Sequence, residues 1–271
     1  MTDFPEGAPC WADAMFTDVE GAKTFYGEVL GWTFGDAASE YGNYTQAFHD
    51  GKAVAAVVPP MPGGEEPVSQ WTLYFASPDV AGTAEKIKAA GGDLVMEPMQ
   101  VGTFGSMAIA REPSGAVFGV WQPGDHKGFE QVGEPGSYCW AELATPDPGT
   151  ADAFLTQVFP YGSQRMQTGD EPVAPGMDYR AFSLGAPDNW VLGRMTTGAG
   201  DGTKAPARIR VYFAVDDCDQ AVARAIKLGG QALGGPMDSP FGRFAELTDQ
   251  QGAVFVVIDP GTRVGEVPQM S

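Results

Sequence analysis

Two stretches of the chain, CWADAMFTD at 10–18 and CWAELATPD at 139–147, each set a tryptophan two residues before an acid. Alternate side chains of a strand share a face, so Trp11, Asp13 and Met15 line up together, and so do Trp140 and Glu142. An indole beside a carboxylate can stack on a flat molecule and accept a hydrogen bond from it or face its positive charge. Asp13 or Glu142 could equally act as a general base. The plainer uses are core packing for the tryptophans and structural ion pairs for the acids, since a buried carboxylate needs a partner.

The two stretches belong to a longer repeat. Offset by 129, Ala12/Ala141, Asp18/Asp147, Ala22/Ala151, Phe25/Phe154 and Val29/Val158 are also identical. Farther along, YFASPD (74–79) answers YFAVDD (212–217), and FGSMAIAREPSGAVFGVWQPG (104–124) answers FGRFAELTDQQGAVFVVIDPG (241–261). A period this long marks duplicated domains, not a short-repeat solenoid. It predicts a first domain over 8–124 and a second over 136–262, joined by a Gly- and charge-rich linker at 125–135.

Each half divides again, into modules 10–60 and 69–124, then 137–196 and 207–261. In the first, a half-polar strand is followed by an Asp18 N-cap, a helix with apolar residues at three- and four-residue spacing, and a stop at Gly31. The β-rich runs WTFGD, YTQAF and AVAAVVP come next. The order βαβββ thus occurs four times. The expected fold class is α+β, with modules paired into two cup-shaped, curved mixed sheets and helices on the outer face. Small ligands would sit in the concave cups.

Composition narrows the function. The chain has 271 residues, 43% hydrophobic and 19% charged, with a formal net charge of −19. This argues for a packed core and against nucleic acid or an anionic membrane as partner. No apolar run reaches membrane-spanning length, and the N-terminus has no signal-peptide pattern, so a cytoplasmic location is expected. Cys10, Cys139 and Cys218 are odd in number and widely spaced, which speaks against disulfides or a zinc knuckle; small buried hydrophobes are the expected role. No nucleophile elbow, P-loop or dinucleotide fingerprint occurs.

Through DVEGAKTFYGEVLGW (18–32), EPSGAVFGVW (112–121) and its echo DQQGAVFVVI (249–258), the chain resembles the vicinal oxygen chelate superfamily. That superfamily includes glyoxalase I, extradiol dioxygenases and bleomycin-binding proteins. The likeness is greatest to a two-domain actinobacterial branch labelled "hydroxylase", some members of which accompany aromatic polyketide pathways. In metal-using members a ligand stands on the first strand of each module, seven residues before the capping Asp. A Glu stands on the last strand, four residues after the turn glycine. The resemblance maps the first-strand positions onto Trp11, Thr72, Trp140 and Arg210, and two last-strand positions onto Gly119 and Val256. None is a good metal donor, so neither a metal nor another cofactor is expected.

In that fold the Trp/acid face is the inner wall of the cup. Tyr74 and Tyr212 share the parity of Thr72 and Arg210, and Trp121 that of Gly119, so all are candidate ligand contacts. Met15 and Met107 join them, with Met61, Met96 and Met99 as adaptable apolar surface. Arg210 is the expected partner of Glu142; Thr72 in its place leaves Asp13 without one. Gly119 against Val256 suggests that the first cup is the roomier.

The expected function is a metal-free protein that binds a small, planar aromatic or polyketide-like molecule for sequestration, antibiotic self-resistance or hand-over to an oxygenase. A glyoxalase-like lyase, or a hydroxylase or isomerase using Asp13 or Glu142 as base, is the enzymatic alternative; a non-catalytic scaffold is the third. A monomer or weak homodimer is expected.

Overall fold

The computed structural model describes residues 4–60, 69–167, 178–197 and 206–271. The first module runs β1 (Pro9–Met15), α1 (Val19–Leu30), β2 (Thr33–Phe34), β3 (Thr45–His49) and β4 (Lys52–Val58). The second runs β5 (Trp71–Ala76), α2 (Val80–Ala89), β6 (Asp93–Val101), β7 (Gly105–Arg111) and β8 (Val117–Pro123). The third has β9 (Tyr138–Thr145), α3 (Pro148–Val158), β10 (Tyr161–Gln167), β11 (Tyr179–Leu184) and β12 (Trp190–Thr196). The fourth has β13 (Arg208–Ala214), α4 (Cys218–Lys227), β14 (Gln231–Met237), β15 (Arg243–Thr248) and β16 (Val254–Asp259). A final β17 (Gln269–Met270) was not anticipated; it pairs antiparallel with β10.

One local device starts all four helices. Asp18, Asp79, Asp147 and Asp217 are N-caps whose carboxylates accept the backbone N–H three residues on. Each satisfies a donor that a helix start leaves orphaned. Gly31 ends α1 at φ 74°, a left-handed conformation that favours glycine. The hairpin turns β7–β8 and β15–β16 are held alike, by Glu112 accepting from the amides of Ser114 and Ala116, and by Asp249 accepting from those of Gln251 and Ala253.

The strands form two mixed sheets, β2-β3-β4-β1-β5-β8-β7-β6 and β14-β15-β16-β13-β9-β12-β11-β10-β17. In each, the first strands of two modules pair antiparallel, with Trp11 opposite Tyr74 and Asp13 opposite Thr72, then Trp140 opposite Tyr212 and Glu142 opposite Arg210. The last strand of each module lies parallel to its first, which sets Ala56 beside Asp13, Gly119 beside Tyr74, Gly193 beside Glu142 and Val256 beside Tyr212. This register supplies Ala56 and Gly193 as the last-strand counterparts in the first and third modules.

Helices cover the face of each sheet opposite the Trp/acid face, and the two helix layers meet, α1 against α4 and α2 against α3. The centre of the molecule is therefore a layer of helices and aromatic rings shared by both halves. Phe213 packs 5.3 Å from Trp32 and 5.1 Å from Trp71, and Phe159 packs 5.2 Å from Phe75. Polar groups there find partners across the halves. Tyr26 donates to Asp249 at 2.9 Å and accepts from the Trp71 indole at 3.0 Å, while Trp32 donates to the Gly136 carbonyl at 2.6 Å. Such burial of aromatic surface and paired polar groups is what makes an inter-domain contact rigid. Among the described residues no helix is long and apolar enough to cross a membrane.

Residues 125–130 do not behave as a free linker. The Phe129 amide donates to the Cys10 carbonyl at 2.7 Å and the Glu130 amide to the Ala53 carbonyl at 2.9 Å, while the Glu130 carboxylate accepts from the Ala53 amide at 2.7 Å. The segment is a strap fastened between the ends of β1 and β4. Its composition, rich in glycine and charge, hid the two aromatic residues that fix it, His126 and Phe129.

Candidate functional site

Strand register gathers an indole, two phenols and a carboxyl in the first half. The Trp11 indole donates to the Tyr44 hydroxyl at 2.6 Å, and that hydroxyl donates to Asp13 Oδ2 at 3.2 Å. The Tyr74 phenol also hydrogen-bonds Asp13. Burial pushes the Asp13 carboxyl up to about 7, against the downward pull of the hydrogen bonds from Tyr74 and Tyr44. Burial, with the Asp13 charge second, raises both phenols well above their ordinary value. Near neutral pH, then, Asp13 exchanges a proton while both tyrosines stay protonated. That is the chemistry of a general acid or base, or of a selective hydrogen-bond acceptor.

The second half repeats the arrangement. Trp140 donates to the Tyr179 hydroxyl at 3.1 Å, Tyr212 donates to Glu142 Oε2 at 2.5 Å, and Tyr179 also bonds Glu142. Here a cation joins. Arg210 lies 3.7 Å from Glu142 as expected, but its tighter partner is Glu246, held at 2.9 and 2.8 Å, which also takes Arg208 at 3.1 Å. Glu246 occupies the place of Ile109 in the first half, since they lie opposite Val256 and Gly119 respectively. The first cup is thus neutral and phenolic around its acid, and the second is ionic.

Several expectations need correction. Gly119 does not leave room: a Cβ there would lie 2.1 Å from Cδ1 of Tyr74, so the ring already fills the gap. Trp11, Tyr74, Trp121 and Asp13 are only 3–9% exposed. The strap closes over them: the His126 ring stands edge-on 4.4 Å from Trp11, Phe129 is 5.5 Å away, and the Trp121 indole donates to the His126 carbonyl at 3.0 Å. Trp140 and Arg210, by contrast, are only partly buried, as are Thr72, Met15 and Met107 on the first sheet; Glu142 and Tyr212 are buried. Met107 lies opposite Trp121, and Met99 opposite Met107, on one face; Met96 pairs with Ile109. Met61 lies outside the described residues. Cys10 is buried and Cys139 half-buried, each directing its thiol to the carbonyl of the facing tyrosine, Tyr74 at 3.4 Å and Tyr212 at 3.5 Å; Cys218 is buried.

Tyr44, Tyr179 and Glu246 were not foreseen. Tyr44 and Tyr179 are 135 apart while their neighbours Ala56 and Gly193 are 137 apart, so the hairpin length breaks the repeat at the tyrosine. Glu246 was legible in principle, because its parity on β15 sets it beside Val256.

The positions that the fold offers for a metal carry Trp11, Ala56, Thr72 and Gly119 in one cup and Trp140, Gly193, Arg210 and Val256 in the other. These residues do not fit a transition-metal centre: one hydroxyl is the sole oxygen donor, a guanidinium repels cations, and the Tyr74 and Tyr179 side chains occupy the space beside Gly119 and Gly193. Among the described residues no three His, Cys, Asp or Glu side chains converge in a way that could hold a metal.

Comparison with known proteins agrees with this architecture. The profile of the Glyoxalase/Bleomycin resistance protein/Dioxygenase superfamily matches residues 11–120. The chain is 38% identical over 272 residues to the anthracycline biosynthesis protein DauV of Streptomyces sp. (strain C5), covering 96% of this chain and 95% of that one. It is 36% identical over 263 residues to "Putative glyoxylase CFP32" of Mycobacterium tuberculosis (strain CDC 1551 / Oshkosh), covering 96% and 97%. In structure it is similar to the Mn(II)-bound glyoxalase from Novosphingobium aromaticivorans, with a TM-score of 0.61 at 17% identity over 96% of this chain and 86% of that chain. At that identity the likeness speaks for the fold alone.

Proposed function

Because the chain belongs to the glyoxalase/bleomycin resistance protein/dioxygenase superfamily, we propose that it holds a small, planar aromatic, polyketide-like molecule without a transition metal, in sequestration, self-resistance or hand-over to an oxygenase. The reading rests on the constellation of indole, phenols and carboxyl that stands, in both cups, where the fold would otherwise keep metal donors. The anthracycline-biosynthesis name of DauV agrees with an aromatic ligand. The second cup is the receiving one. Its Trp140 is partly exposed, and Glu142, Tyr212 and Arg210 offer an acceptor, a phenol and a cation beside it.

The test is a titration with 1,8-dihydroxyanthraquinone followed by tryptophan fluorescence, before and after dialysis against chelator. Binding that survives chelation and weakens about tenfold in Trp140→Ala is expected, since an aromatic contact plus its buried area is worth at least about 1.4 kcal/mol. Equal affinity in the variant, or binding that returns only with added Zn, Mn, Fe or Ni, would overturn the reading.

A second reading has its own observation. The Asp13 carboxyl, pushed up to about 7 with no cation beside it, has the proton affinity of a general base at neutral pH. It suits a metal-independent isomerase, in which the carboxylate takes a proton from one atom of a similar aromatic ligand and returns it at another. Turnover with a pH profile inflecting near 7, lost in Asp13→Asn, is its signature.

A further inference from the structure

In both halves the chain leaves its last strand through a Pro-Gly pair, Pro123-Gly124 after β8 and Pro260-Gly261 after β16. The first exit becomes the strap over Trp11. The second becomes the C-terminal segment 260–271, which takes another route. Its Val264 amide donates to the carbonyl of Ser239, in the β14–β15 turn, at 3.0 Å. Five residues later Gln269 pairs with Gln167 of β10, and Ser271 and Arg165 exchange backbone hydrogen bonds of 3.0 and 2.8 Å.

Those two attachments lie far apart along the sheet and close in space. Seven inter-strand steps separate β14 from β10, about 34 Å at ~4.8 Å each. The five residues from Val264 to Gln269 reach at most about 18 Å, with a hydrogen bond to add at each end. The sheet is therefore curled until its edges approach, and the segment runs across the gap between them. Helices α3 and α4 pack on the other, convex face, so the gap is the mouth of the second cup. The first half closes at the equivalent place with side chains alone: Tyr41, between β2 and β3, sets its ring 5.2 Å from Phe104, between β6 and β7.

Little holds the segment down. Val264 and Val267 are 56% and 50% exposed, and of residues 261–271 only Pro268 is buried. β17 pairs with just two residues of the seven-residue β10, too few to protect a sheet edge. The first strap differs in buried anchors, with Phe129 in the core and His126 against Trp11. A segment with few buried apolar contacts opens at low free energy.

We propose that residues 260–271 are a latch on the second cup: β17 detaches from β10 to let a flat aromatic molecule in, and pairs again behind it. The inference rests on the second cup being the receiving one. A single extended segment leaves water a way past on either side, in keeping with the partial exposure of Trp140, but it obstructs a fused ring system.

The test locks and loosens the latch in the full chain. Met166 and Met270 face each other next to the backbone-bonded pair Arg165 and Ser271, where cross-strand side chains stand closest. Met166→Cys/Met270→Cys can therefore be closed by oxidation and released by reduction. Gln269→Pro, at an exposed position, takes a donor out of β17. Oxidation of the cysteine pair should slow stopped-flow association of 1,8-dihydroxyanthraquinone at least about tenfold, reduction should restore it, and Gln269→Pro should exceed the wild type. Without ligand, the Arg165 amide, whose acceptor is Ser271, should exchange hydrogen at least about tenfold faster than the β11–β12 amides in the reduced pair and slow on oxidation. One association rate in all forms, or an Arg165 amide as protected as β11–β12 before oxidation, overturns the latch. Neither result touches the cup reading, whose own measure is the affinity lost in Trp140→Ala. Undiminished affinity in Trp140→Ala, alongside lock-dependent exchange, refutes the cup reading and with it the gating, though not the opening.

Discussion

A Cβ on Gly119 would lie 2.1 Å from Cδ1 of Tyr74, so the tyrosine ring occupies the volume that a side chain on β8 would fill. That contact helps set the phenol against Asp13. In the second half Val256 holds the corresponding place, and the glycine that yields to a tyrosine is Gly193, whose Cβ would lie 2.1 Å from the Tyr179 hydroxyl. Each cup thus has one glycine under one phenol, on opposite modules.

Gly119→Ala should therefore displace Tyr74 and cost about 1–3 kcal/mol, as overpacking a closed core does. Chemical denaturation measures the cost. A variant as stable as the wild type would mean that the Tyr74 ring has slack and that the glycine does not position it.

Asp13 links this cluster to pH. Its folded-state value of about 7 lies above the ordinary 3.8, so the unfolded chain releases a proton that the folded one keeps. The stabilising contribution is complete below about pH 4 and is lost as the pH rises through 7, at up to roughly 1.4 kcal/mol per pH unit inside that window. Asp13→Asn cannot ionise, so stability measured from pH 4 to 8 should fall less steeply in the variant than in the wild type. Parallel curves would show that the carboxyl is not held near 7.

The strands and caps were legible because they rest on local chemistry: an Asp before each helix, Gly31 after the first, and alternation along β1 and β9 that set Trp11 with Asp13 and Trp140 with Glu142. What escaped was carried by non-local geometry. Tyr44 enters the cluster through the register of a hairpin whose length differs between the halves. Tyr74 fills the gap above Gly119 because parallel pairing of β5 and β8 brings them side by side. A glycine in a sequence marks missing volume, but only the neighbouring strand shows whether that volume is empty. The strap escaped because glycine and charge are read as a tether, while two aromatic rings within it, His126 and Phe129, do the anchoring.

Arg194 tests a feature that neither cup uses. Its side chain is fully buried, with bonds of 2.9 and 3.0 Å to Asp152 on α3 and 2.8 Å to Asp178. Val57 holds the equivalent place in the first half, one residue after Ala56. Removing one member of such a pair strands the other, at about 3–5 kcal/mol when both are buried. Asp152 and Asp178 reach solvent in part and keep Arg180 at 3.0 Å and Arg165 at 3.2 Å, so Arg194→Met should sit near the lower end of that range. Arg194→Met/Asp152→Leu should recover part of the loss, and a double-mutant cycle reads the coupling. Additive losses would show that the guanidinium acts through Asp178 and Thr196 instead.

The strap should be as slow to open as the sheet it joins. The Phe129 amide is tied to the Cys10 carbonyl at 2.7 Å and the Glu130 amide to the Ala53 carbonyl at 2.9 Å. Phe129 itself is buried, stacked on Tyr138 at 5.0 Å with the planes 7° apart. Opening the strap must break both bonds and expose both rings, whereas a tether would exchange at once. Native-state hydrogen exchange should thus find the amides of Phe129 and Glu130 protected to an extent comparable with β1. Phe129→Ala should cost about 3–5 kcal/mol, abolish that protection, and make Trp11 accessible to acrylamide quenching. Rapid exchange of both amides in the wild type would mean that the strap opens readily and that Trp11 is reachable without it being cut loose.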